Sequence, residues 1–76
     1  MPGTADTRAE LSGRERQITV LIAQGLKNKE IARQMSITEQ TVKNHIHNVF
    51  EKLNISDRLE LALYAVYHNL HPPDSL

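Results

Sequence analysis

The chain has 76 residues, no cysteine, and nine basic against nine acidic residues. That length supports one domain, near the lower limit for folding without staples. The missing cysteines exclude a disulfide framework and a thiolate metal site. No apolar run is long enough to span a bilayer and no signal-peptide pattern is present, so a cytosolic location is the expected default.

Residues 1–10 (MPGTADTRAE) are small, polar and unpatterned, and read as a flexible tail or linker remnant. The first helix is expected near 13–24. Ser12 and Glu15 form an S-x-x-E capping box, in which each side chain satisfies a backbone donor. Ile18, Leu21 and Ile22 follow on one face. Gly25 suits a left-handed C-cap, where a Cβ would clash. Glu15 is either a cap alone or also the partner of a buried cation.

Leu26-Lys27 leads into the second helix, near 28–35, with Asn28 as its cap and Ile31, Ala32 and Met35 on its inner face. Ser36-Ile37 then leaves only a tight turn before Thr38. Helices joined so closely must cross at a large angle, as in a helix-turn-helix. Ser36 stands where many such turns have Gly, and fits if the turn needs no positive φ.

The third helix is expected near 39–53. Thr38 is its N-cap, and Ile37 with Val42 has the spacing of a hydrophobic staple. Val42, Ile46, Val49, Phe50 and Leu53 make one core face. A different face carries Gln40, Lys43, Asn44 and His47, all hydrogen-bonding side chains of middling length. On an arbitrary helix that is a solvated surface. Behind a helix-turn-helix it is a candidate reading face.

Asn54 is the expected stop, and Asp57 with Glu60 starts a fourth helix near 58–69. Its core face is expected to be Leu59, Ala62, Leu63, Val66 and Leu70. Leu61, Tyr64, Ala65 and His68 fall elsewhere. A helix apolar on more than one side has two things to pack against, and here one is a groove of its own domain or a second subunit. Residues 71–76 trail off after Pro72 and Pro73. The expected class is therefore all-α, a four-helix domain over 11–70 without a sheet.

Charge placement qualifies the neutral total. Lys27, Lys29, Arg33, Lys43 and Lys52 face only Glu30, Glu39 and Glu51 in that segment, a local excess of two. His45 and His47 can add to it on an anionic partner.

Leu11-Ser12 with Arg14-Glu15-Arg16, Gly25, Asn28-Lys29-Glu30-Ile31-Ala32, Thr41-Val42-Lys43 with His45, and Lys52-Leu53 together resemble the DNA-binding domain of LuxR/FixJ-type (GerE-like) bacterial transcription regulators. The resemblance covers nearly all of 11–70, including the spacing between the pieces. It implies double-stranded DNA as partner, the third helix in the major groove, and a homodimer on two half-sites through the fourth helix. RNA polymerase is a further implied partner. No cofactor is implied.

By this resemblance Lys43 holds the usual groove-facing basic position. Asn44 occupies a base-reading position often held by an apolar residue such as Val, and His47 one where a basic residue is frequent. Gln40 shares their face. Lys29, Thr38 and Thr41 match positions that approach phosphates. His45 is structural or phosphate-adjacent. Tyr64, Ala65 and His68 are the expected exposed dimer contacts. The chemistry agrees, because Lys donates to guanine O6 and N7 and Asn pairs with adenine N6 and N7. Hydroxyls and helix N-termini anchor phosphate without reading sequence.

Other functions fit less well. His45 and His47 point to nearly opposite sides of a helix and cannot share a metal. His68 and His71 could, but lack a third ligand. No nucleophile motif or phosphate loop is present, so catalysis is not expected. A sigma-factor promoter-recognition domain is the nearest alternative within DNA binding, but the Lys43-x-His45 and Asn28-Lys29-Glu30 patterns favour the LuxR/FixJ type. A protein-interaction module that kept the fold without DNA binding is the competing class, permitted by the neutral charge.

Overall fold

The computed structural model describes residues 11–70, so both terminal segments and His71 lie outside the described residues. Four helices follow in order: α1 (Gly13–Ala23), α2 (Asn28–Met35), α3 (Glu39–Leu53) and α4 (Arg58–Tyr67). No strand occurs among the described residues. The expected bounds hold to within two residues.

Each helix start has a local cause. Ser12 Oγ accepts from Glu15 N–H at 3.1 Å, and Glu15 Oε1 accepts from Ser12 N–H at 2.9 Å, completing the capping box. Thr38 and Asp57 cap α3 and α4 by accepting from Thr41 N–H and Glu60 N–H. The start of α2 differs from expectation. Lys27, not Asn28, is the N-cap residue, and its ammonium has no acceptor to offer. Only the return bond forms, Lys27 N–H to Glu30 Oε1 at 2.8 Å. Asn28 is the first helical residue, and its Oδ1 accepts from Arg58 Nη1 instead.

The four helix ends share one geometry. Gly25, Ser36, Asn54 and Asn69 all have positive φ, of 93°, 59°, 56° and 53°. The N–H after each reaches back five residues: Leu26 to Leu21, Ile37 to Ala32, Ile55 to Phe50 and Leu70 to Ala65. This is the Schellman arrangement, in which the residue after the left-handed one tucks an apolar side chain under the helix. Leu26, Ile37, Ile55 and Leu70 are all half-buried. Ser36 therefore sits in the left-handed region that its expected tolerance excluded. The two-residue turn requires that conformation, and Ser adopts it against a Cβ clash.

Ile18, Ile31, Val42, Val49 and Leu61 are fully buried, so every helix contributes to one centre. Leu21, Ile22, Ala32 and Ile46 enclose it. α1 packs against α4 and α3, and α2 packs against α3. Thr19, also buried, satisfies its hydroxyl by donating to Glu15 O at 2.8 Å.

The fourth helix is rotated from its expected setting. Leu61 and Ala65, at 0% and 3% exposure, form its inner edge, with Ala62 beside them. Leu59, Leu63 and Val66, expected inside, are 69%, 46% and 65% exposed. Apolar residues surround this helix, so periodicity could not choose between stripes. The small Ala65 against α1 permits close approach, and Leu61 fills the space at the centre.

Glu15 has both of its possible roles. The same Oε1 that caps α1 accepts from Lys52 Nζ at 2.7 Å, joining the start of α1 to the last turn of α3. Burial pushes this carboxyl up, but the Lys52 ammonium and the Ser12 backbone N–H outweigh it and hold it below its ordinary 4.5.

Two stability outcomes follow from this geometry. Ser36→Gly removes the clash at positive φ and raises stability by about 1 kcal/mol, seen as a higher denaturant midpoint at unchanged slope. A carboxyl whose folded pKa lies below its unfolded one stabilises above the unfolded value, and that contribution fades as pH falls through the folded value. Glu15→Gln therefore lowers stability at neutral pH by about 1–3 kcal/mol. Its stability also declines less than wild type below pH 4.5, the ordinary value of this carboxyl, in acid-series denaturant titrations.

Candidate nucleic-acid interface

Burial of Val42, Ile46 and Val49 fixes the rotation of α3 about its own axis. The opposite side of that helix presents Gln40, Lys43, Asn44 and His47, all exposed. The four side chains predicted as readers thus share one solvent face. They are not independent. Gln40 Nε2 donates to Asn44 Oδ1 at 3.1 Å. His47 Nε2 lies 3.3 Å from Glu51 Oε2, one turn further on. Lys43 has no such partner on its helix and is the face's freest cation among the described residues. His45 is half-buried.

The expected phosphate contacts lie at helix starts. Lys29 is exposed at the second residue of α2. Thr38 and Thr41 sit at the start of α3, with their hydroxyl oxygens 2.8 Å apart. One of the two hydroxyl protons makes that bond, which leaves the other to donate outward. Unpaired backbone N–H groups and the helix dipole favour an anion at such an end.

A further set of residues carried no signal in the sequence. Arg58, first residue of α4, donates from Nη1 to Asn28 Oδ1 and from Nη2 to Leu26 O, both at 2.8 Å. It ties the start of the fourth helix to the start of the second. Beside it runs an open groove of about 390 Å³, with Ile46 and Phe50 as apolar floor and Lys43, His47 and Arg58 among its lining. Arginine-to-carbonyl struts of this kind have no fixed spacing, here thirty and thirty-two residues. Glu51 is likewise visible only as a neighbour of His47. Lys52, counted in the local basic excess, is committed to Glu15.

The expected dimer contacts divide. Ala65 is buried against the domain's own core and is not an exposed contact. Tyr64 is half-buried and stacks on the exposed His68, with ring centroids 4.1 Å apart. The exposed apolar stripe is instead Leu59, Leu63, Val66 and Tyr67, at helical spacing along one side of α4. Among the described residues, no helix is long and apolar enough to cross a membrane, and no cluster of three or more potential metal ligands occurs.

Comparison with known proteins matches residues 9–65 to the GerE family, described as bacterial regulatory proteins of the luxR family. Response regulator protein VraR of Staphylococcus aureus (strain NCTC 8325 / PS 47) is 43% identical over 70 residues, which is 92% of this chain and 34% of that protein. VraR proteins of Staphylococcus saprophyticus and Staphylococcus epidermidis match with the same identity and the same coverage, 92% and 34%. The chain thus spans about a third of the length of these curated relatives.

Proposed function

Since the chain belongs to the luxR family of bacterial regulatory proteins and is a DNA-binding domain of transcription regulation, we propose that it reads specific duplex sites with α3 in the major groove. The observation that carries this reading is the exposed face of Gln40, Lys43, Asn44 and His47, opposite the buried Val42, Ile46 and Val49. A helix fits the major groove, and side chains of its first half reach base edges. Lys43 donates to a guanine, while Lys29, Thr38 and Thr41 hold the flanking phosphates. The neutral chain binds through this local arrangement and not through a basic coat. Its place of action is the cytoplasm, on the nucleoid.

The same reading makes the working unit a dimer on two half-sites. Leu59, Leu63, Val66 and Tyr67 form a stripe that a second copy would cover, with His68 at its edge. One stripe of a ten-residue helix buries little area, so the free domain is monomeric and DNA brings two copies together.

Two measurements test it. Lys43→Ala weakens binding to a selected duplex by roughly 1–3 kcal/mol and relaxes preference at one base pair. Lys29→Ala weakens selected and random duplexes alike and lowers the salt slope by about one. If neither variant changes the ratio of specific to random affinity, Lys43 does not face the groove. Absence of any binding to random duplex at low salt, by fluorescence anisotropy, would favour the protein-interaction module.

Sedimentation of the domain on a two-half-site duplex gives a 2:1 complex, and Leu63→Glu, on an exposed site, reduces it to independent binding. Non-cooperative binding by wild type, unchanged in Leu63→Glu, would contradict the dimer.

A further inference from the structure

We infer that Gln40 and Asn44 act as one composite reader of a single adenine, an inference that rests on the proposed insertion of α3 into the major groove. The two side chains meet across one helical turn, with Gln40 Nε2 donating to Asn44 Oδ1 at 3.1 Å. Both are exposed, so no core packing dictates this contact. An unrestrained carboxamide presents either a donor or an acceptor to a base, because it can turn over. Here each amide holds the other. The shared bond uses neither the Asn44 amino group nor Gln40 Oε1, which leaves one donor and one acceptor for a base. Exchanging the orientation of both amides preserves the shared bond and still leaves one donor and one acceptor.

That pair of groups complements the major-groove edge of adenine, which offers N7 as acceptor and N6–H as donor. Asn44 and Gln40 tips that touch also cannot address distant pairs, since stacked bases lie about 3.4 Å apart along a strand. An asparagine can read adenine by itself through both of its amide atoms. In this chain the Asn44 carboxamide is tied to that of Gln40, and the pair together supplies the donor and the acceptor. The neighbouring contact of His47 with Glu51 lies one turn further on and does not enter the pair. The plain alternative is a surface pair that only stabilises the helix, as side chains four residues apart can. Such a pair changes the stability of the free domain and leaves base preference alone.

The test is a double-mutant cycle read by base preference. Wild type is used to select a duplex, and every single-base-pair variant of that duplex is titrated with wild type, Gln40→Ala, Asn44→Ala and the double variant. Circular dichroism verifies the helix content of each. The expected result is that both single variants lose discrimination at the same A·T pair, by roughly 5- to 100-fold. The double variant loses no more than the larger single loss, because each residue works only through the other. Losses at two different pairs, multiplicative losses in the double variant, or an unchanged preference in Gln40→Ala would each overturn the composite reader. A selected duplex whose preference vanishes in Lys43→Ala but follows one of those patterns leaves the major-groove reading standing and removes only this inference. A wild type that selects no duplex removes both.

Discussion

The arrangement depends on one constraint: the rotation of α3 is set by apolar burial. Val42 and Val49 are fully enclosed, and Ile46 nearly so, against Ile18, Ile31 and Leu61 from the other three helices. Turning α3 enough to hide its polar face would lift these three side chains into water. Full exposure of one such side chain costs roughly 1.5–3 kcal/mol, a large share of a small domain's stability. The outward face of Gln40, Lys43, Asn44 and His47 is therefore held there by residues that never touch a ligand.

The helix ends carry that constraint through the chain. Four left-handed residues, each followed by a half-buried apolar one, stop the helices without long loops. Three polar ties then lock the frame. Glu15 and Lys52 join α1 to the end of α3, Arg58 joins α4 to the start of α2, and Glu30 closes the start of α2 on Lys27. Two of these ties use cations that a simple charge count would assign to an anionic partner. Neutral net charge and a local binding face are compatible because the cations are divided between structural and exposed duties.

How much of this was legible in the sequence depends on whether the signal was local. The capping box at Ser12 and Glu15, Gly25, the Thr38 cap and the core stripe of α3 are set by neighbours three to eight residues apart, and they could be read directly. Ser36 could be placed in the turn, but its positive φ depends on how tightly α2 must meet α3. The inner edge of α4 could not be read at all, since Leu59, Leu61, Leu63 and Val66 offer competing stripes and only α1 decides between them. The Arg58 strut and the Glu15–Lys52 pair depend on segments thirty or more residues apart. On the candidate face, residue types were legible, whereas the bond between Gln40 and Asn44 needed side-chain positions.

The most direct test of the central claim is a proton–nitrogen NMR titration of the domain with a random duplex at low salt. It works without an identified operator. The account predicts that the largest shift changes fall on Gln40, Lys43, Asn44 and His47, with a second group at Lys29, Thr38 and Thr41. Buried positions of α1 should move little. Changes centred on the exposed stripe of α4, or on α1, with the outward face of α3 unmoved, would contradict it.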